Sequence, residues 1–205
     1  MMNIDLAIKF GSNEIIIYRK GLGIIAKEPA YLAVVEDGKK LKVKATGKQA
    51  EKLFLSKSSN VDVYQPIVKS EIVNEKMATI LMSEILKNVI TDSFMLTKLS
   101  ALVAVPCALN PDQLKVLEKV LHESGVDKVT FVQNSVCARA NLDIDSHSHI
   151  MVVDIGKYIT DISVLNDYDF VKGRMYFLGG ADMDKSITTF IADNHDLEVS
   201  DLTSE

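Results

Sequence analysis

The chain has 205 residues, 47% of them apolar and 25% charged, which is the balance of a globular protein long enough for one or two domains and a sizeable core. A formal charge of −5, a pI near 5.4 and no Lys/Arg block beyond short runs such as Lys39–Lys40 argue against nucleic acid as a partner. Cys107 and Cys137 stand far apart in apolar contexts, the pattern of reduced thiols in a cytoplasmic protein, and no signal-peptide pattern or membrane-spanning apolar run occurs in these residues.

The N-terminal part reads as strands at Ile4 to Phe10 and Glu14 to Tyr18, joined by a turn at Gly11-Ser12-Asn13. Gly21 and Gly23 mark the next turn, Tyr31 to Glu36 is a third apolar run, and Asp37-Gly38 turns into Leu41 to Val43. A short helix is expected at Lys48 to Leu55, then a Ser/Asn-rich loop at Ser56 to Asn60 and a strand ending before Pro66. From Val73 the period becomes helical, with Asn74 as N-cap and Met77, Ile80, Leu81, Ile85 and Val89 on one face. Ala101 to Val105 is a continuous apolar strand. Asn110-Pro111 opens another helix, carrying Leu114, Leu117 and Leu121 and stopped by Gly125.

A strand at Val129 to Val132, a short helix near Ser135 to Asn141 and a polar linker from Asp143 to His149 follow. His147 and His149 in that linker lack a third ligand nearby and read as surface histidines. Beyond it lies I-M-V-V-D-I-G-K-Y-I-T-D-I-S-V, residues Ile150 to Val164, an alternating strand, a turn at Gly156 and a second alternating strand. Such a turn aims backbone N–H groups at a phosphate while Asp154 helps hold Mg²⁺, although Lys157 and Tyr158 stand where close backbone approach favours glycine. The competing reading is an ordinary β-hairpin in which Asp154 closes the turn through backbone N–H groups. A strand at Phe170 to Phe177 and a helix opened by Gly179-Gly180, with Met183, Ile187, Phe190 and Ile191 on one side, complete the chain before the acidic tail Glu198 to Glu205.

Both parts therefore open with strand, glycine turn and strand, and with Tyr18-Arg19-Lys20-Gly21-Leu22-Gly23-Ile24, Glu28-Pro29, Gly47-Lys48-Gln49-Ala50, Asn74-Glu75-Lys76-Met77, Val152-Val153-Asp154-Ile155-Gly156 and Gly179-Gly180-Ala181-Asp182-Met183-Asp184 in order, the chain resembles the bacterial actin-like MreB family of the actin and sugar-kinase superfamily. The resemblance implies an α/β, actin-like (ribonuclease H-like) fold. Residues 1–145 would form domain I, with a small subdomain inserted around 27–65, and 146–205 the first part of domain II. In that family ATP and Mg²⁺ lie between the domains, and the chain continues past the position of Glu205 with a small subdomain and the glycines that hold adenosine.

The departures from the family fall on its chemistry. Lys9-Phe10-Gly11-Ser12 stands where the first hairpin begins with an aspartate, Asn134-Ser135 falls on the Glu-Pro pair that positions the attacking water, and Lys157-Tyr158 replaces Gly-Gly. The resemblance thus implies no catalytic residue and a degenerate phosphate site at Gly11, Ser12, Asp154, Gly156 and Lys157, with Asp154 a metal ligand only if Mg-nucleotide binds. Lys9 and Lys157 would instead neutralise phosphate and permit metal-free nucleotide binding, the competing reading being two solvated lysines beside an inactive cleft. Phe94-Met95-Leu96 corresponds to an apolar loop that dips into the membrane in the family, the competing reading being that these residues cap the core at the helix end. The expected function is that of a diverged cytoskeletal protein of cell shape, cytoplasmic with peripheral membrane contact, that assembles with itself or an active paralogue and does not hydrolyse ATP. The alternative is an actin-fold pseudo-ATPase acting as scaffold or adaptor without a filament.

Overall fold

The structure, a computed structural model, describes residues 2–38, 40–56, 60–90, 97–143 and 149–195. Phe94-Met95-Leu96, His147 and the tail Glu198 to Glu205 lie outside the described residues.

The main sheet has the order β10-β9-β1-β2-β3, built from β1 (Met2–Phe10), β2 (Glu14–Arg19), β3 (Gly23–Pro29), β9 (Thr97–Val105) and β10 (Lys128–Gln133). β1 pairs antiparallel with β2 and parallel with β9, so the central strand joins the N-terminal hairpin to the later apolar run. Alternation decides its faces: Ile4, Leu6, Ile8 and Phe10 are buried, whereas Asp5 and Lys9 point the other way and are exposed. The buried face is covered by α2 (Glu75–Val89) and α3 (Pro111–Glu123). Met77, Leu81, Met82, Ile85 and Leu86 of α2 join Leu117, Val120 and Leu121 of α3 in one core.

Both helices begin where the sequence signals. Asn74 accepts the Met77 N–H at 3.1 Å and Asn110 accepts the Asp112 N–H at 2.9 Å, satisfying donors that have no partner within the helix. Gly125, at φ 103°, follows α3 with a conformation that residues with a side chain avoid.

A small sheet of order β5-β4-β6 (β4, Leu32–Asp37; β5, Lys40–Thr46; β6, Asp62–Tyr64) carries α1 (Gly47–Leu55). The N-terminus of α1 is capped from a distance: Thr46 makes no side-chain cap, and the Lys48 N–H donates instead to Glu28 at 3.1 Å. Gly47 permits this with φ 60°, because a Cβ there would run into the Glu28 carboxylate. Two short strands, β7 (Ile67–Val68) and β8 (Glu71–Ile72), form a ribbon whose turn residues Lys69 and Ser70 both have positive φ, 50° and 63°.

The third sheet is an antiparallel meander, β11 (His149–Ile155), β12 (Thr160–Asn166) and β13 (Asp169–Tyr176), followed by α5 (Gly180–His195). The short helix α4 (Asn134–Arg139) packs on β9 and β10 and on β11 and β12. Its Arg139 is buried and reaches Asp167, at the β12–β13 turn, at 3.2 Å, with the guanidinium over the Tyr168 ring. Leu165 and Ala192 are the buried hydrophobics among the described residues of this C-terminal part, while Met151, Val153 and Ile155 on β11 and Met183, Ile187 and Phe190 on α5 are exposed. Of the apolar α5 face expected from periodicity, Ile191 alone is partly covered. The strand Gly23–Pro29 was not expected, since its residues do not alternate cleanly.

Candidate functional site

The carboxyl ends of β1, β9, β10 and β11 converge, as ligand sites of α/β sheets do. The cleft between them has a volume of about 220 Å³ and is lined by residues 9–14, by Ala104, Pro106 and Asn134, and by residues 154–159. Gly11, Ser12, Asp154, Gly156 and Lys157, named from the sequence as remnants of a phosphate site, all line it. So do Lys9, Asn134 and Tyr158.

The two turns are closed in the same way. Gly11 N–H donates to the Glu14 carbonyl at 3.2 Å and Gly156 N–H to the Ile159 carbonyl at 2.8 Å. A Cβ at either glycine would meet that same carbonyl, at 3.0 Å and 3.1 Å. Asp154 takes no part in closing its turn; its carboxylate accepts no hydrogen bond among the described residues and lines the cleft. The first turn is held from outside: Ser12 is buried, its hydroxyl accepts the Ser70 N–H at 3.2 Å, and its carbonyl accepts from the Gln65 amide at 3.1 Å. Lys69, beside Ser70, places its ammonium 5.9 Å from the centre of the Phe177 ring.

The second turn is held by the start of α5. Gly180 and Ala181 donate to the carbonyls of Gly156 and Lys157 at 2.9 and 2.8 Å, and Gly179 lies so close that a Cβ would sit 2.6 Å from both of those carbonyl oxygens. Lys157 extends over the Tyr158 ring at 5.2 Å. Tyr31, its ring tilted at 44° to Phe54, lies near enough to Lys157 and Tyr158 for both to act on it: burial raises its phenol pKa, Tyr158 adds to the rise and Lys157 opposes it.

Charges in the cleft are mixed. Lys9 and Lys157 have no carboxylate within ion-pair distance among the described residues, and Glu14 is turned toward Lys27 at 3.6 Å. Among the described residues no group of three or more His, Cys, Asp and Glu side chains has the arrangement of a metal site.

Behind the cleft lies a joint that the motif reading missed. Asp161 is directly opposite Asp154 in the strand pairing and is buried; one carboxylate oxygen accepts the Cys107 N–H at 2.9 Å and the other has no partner. The Cys107 thiol lies 3.8 Å from the Ile162 carbonyl, and its pKa is raised to about 11, first by burial and then by Asp161. Gly173 leaves room for that sulfur, since a Cβ would clash with it and would sit 2.8 Å from the Ile162 carbonyl. The signal was present in the hairpin itself, because residues equidistant from a turn pair across it, and Asp154 fixes Asp161 as its partner.

Comparison with known proteins agrees with this architecture. The sequence model of the MreB/Mbl protein family matches residues 3–205. The cell shape-determining protein MreB of Escherichia coli strain K12 is 25% identical over 209 residues, covering 100% of this chain and 60% of that protein. Mbl of Bacillus subtilis strain 168 is 25% identical, covering 98% of this chain and 60% of its own length. The chain thus spans about three fifths of the curated relatives it matches. Among solved structures, MreB5 of Spiroplasma citri bound to AMPPNP aligns with a TM-score of 0.79 at 20% identity, over 94% of this chain and 58% of that one. A MamK double helical filament aligns with a TM-score of 0.73 at 16% identity. No helix among the described residues is long and apolar enough to cross a membrane. An α/β chain of actin-like fold, with two glycine hairpins facing one cleft and a family match over residues 3–205, belongs to the MreB/Mbl family.

Proposed function

We propose that this chain is a diverged, cytoplasmic MreB-like cytoskeletal protein, contributing to cell shape by assembling with itself or an active paralogue, with a nucleotide cleft that does not hydrolyse ATP. In this reading residues 1–145 form one domain and 146–205 the first part of a second, with the cleft between. The observation that carries it is the joint presence of Lys9, Asn134 and Lys157 on the cleft wall, with Asp154 as the carboxylate left unengaged. Phosphoryl transfer depends on metal ions and a water-positioning group placed around the phosphates. Lys9 and Asn134 line this cleft at the positions where the family resemblance implies an aspartate and a glutamate.

The residues do not fit Mg-ATP. An ammonium at Lys9 opposes a dication on the cleft wall where Asp154 is the unengaged carboxylate. Loss of a single stabilising group in such a site typically costs ~2.7–4 kcal/mol of transition-state stabilisation, and two are changed here. Calorimetry with ATP and ADP, with and without Mg²⁺, is expected to give no saturable Mg²⁺-dependent heat at millimolar nucleotide; such a heat overturns the inactive-cleft reading. Binding seen only without Mg²⁺ would assign Lys9 and Lys157 to phosphate. Sedimentation and negative-stain microscopy are expected to find polymers alike with and without ATP, and a chain monomeric at every concentration would replace assembly by the scaffold reading.

A further inference from the structure

A second cavity, of about 400 Å³, lies where β3, the start of α1 and the end of α2 meet, and it shares no lining residue with the cleft described above. Its floor is apolar, made by Ile25 and Ala26 of β3 with Ile85 and Val89 of α2. Successive residues of a strand point to opposite faces, so two in a row on one wall need an irregularity. The β2–β3 register supplies it: Ile17 pairs with Ala26 and Tyr18 with Ile24, which leaves Ile25 as the extra residue of a bulge. A bulge of this kind re-aims a side chain, and here it adds Ile25 to the wall that Ala26 already lines.

The rim is polar. Gln49 and Asn88 are exposed, and their carboxamides make no hydrogen bond among the described residues. Each carries an acceptor oxygen and an N–H donor pair, the complement of a peptide group. Glu28 and Lys48 place one charge of each sign on the same rim, so the local field favours an occupant without net charge. β3 is also the last strand of the main sheet and pairs with β2 alone, which leaves its other edge without a strand partner.

We propose that this cavity takes one uncharged, apolar residue of an extended peptide segment from a partner protein, with the side chain on the apolar floor, the flanking peptide groups on Gln49 and Asn88, and the backbone alongside β3. In such an arrangement main-chain hydrogen bonds to the strand edge give affinity and the cavity gives specificity. The competing reading is a solvated gap between sheet and helix, which binds nothing.

Amide NMR of the full chain, titrated with N-acetyl-leucinamide, tests this, because that compound is one apolar residue flanked by both of its peptide groups. It is expected to shift the amide signals of Ile25, Ala26, Gln49 and Val89 saturably in the millimolar range. N-acetyl-glycinamide, which lacks the side chain, should bind about tenfold more weakly. The acetylated and amidated pentapeptide Thr-Thr-Leu-Thr-Thr is expected to bind about tenfold more tightly than the single residue and to slow hydrogen exchange along β3. Gln49→Ala/Asn88→Ala should weaken both leucine probes by about tenfold. Both positions are exposed, and circular dichroism checks that the double variant keeps its fold. No saturable shift with either leucine probe overturns the proposal. Equal binding of the leucine and glycine compounds overturns the apolar floor, and binding untouched by the double substitution overturns the rim. A pentapeptide that binds no more tightly than the single residue overturns the strand addition.

Discussion

In the β1–β2 hairpin Gly11 donates to a carbonyl three residues on, and in the β11–β12 hairpin Gly156 does the same, so two unlike sequences make one turn. What stands behind them differs. β1 and β2 contribute Ile4, Leu6, Ile8, Phe10, Ile15 and Ile17 to a core that α2 and α3 cover, whereas β11 turns Met151, Val153 and Ile155 outward. The second turn is supported instead by backbone bonds to the start of α5 and by the Cys107–Asp161 joint. Local geometry is thus shared between the hairpins while the source of stability is not.

The largest expected effects test that contrast directly. Ile17→Ala or Leu81→Ala should lower unfolding free energy by about 2–5 kcal/mol in urea titration, and Val153→Ala should stay within about 0.5 kcal/mol. Similar losses at all three sites would remove the distinction. Gly179→Ala brings a methyl against the Gly156 and Lys157 carbonyls, which are backbone and cannot swing aside. It should cost about 1–3 kcal/mol and speed hydrogen exchange at the Gly180 and Ala181 amides while leaving β1 and β2 unchanged.

Asp161→Ala leaves the Cys107 N–H without its acceptor, for a loss of about 1–3 kcal/mol. Faster exchange of the Cys107 amide is the local readout; an unchanged rate means the joint does not hold the second hairpin. The smallest effect concerns the Cys107 thiol, whose pKa rises from 9.0 to about 11. Because the folded value lies above the unfolded one, its stabilising contribution is complete below pH 9.0 and is lost as pH rises through about 11. Iodoacetamide at pH 8 should label it about a hundredfold more slowly than a free model thiol.

Much of this was legible in the chain. Asn74, Asn110-Pro111 and Gly125 mark helix ends by chemistry confined to a few neighbouring residues, and the alternation of β1 and β12 gives their buried faces. Long-range ties were not legible. Nothing near Lys48 says that its N–H is capped by Glu28, and the Ser12–Ser70 bond joins residues from separate strand ribbons. Two adjacent positive-φ residues at Lys69-Ser70 carry no glycine or asparagine signal, because packing rather than propensity imposes that turn. The α5 pattern gave one apolar side, and periodicity reports which side is apolar and not whether anything lies against it.

The Glu28–Gly47 contact also constrains how the sequence can drift. Any side chain at position 47 would strike the Glu28 carboxylate and strain a backbone at φ 60°, while a shorter residue at position 28 would leave the helix amide bare. Neither position can change alone without loss, so across the family the pair is expected to be inherited or exchanged together, recording in an alignment a contact that neither segment reveals by itself.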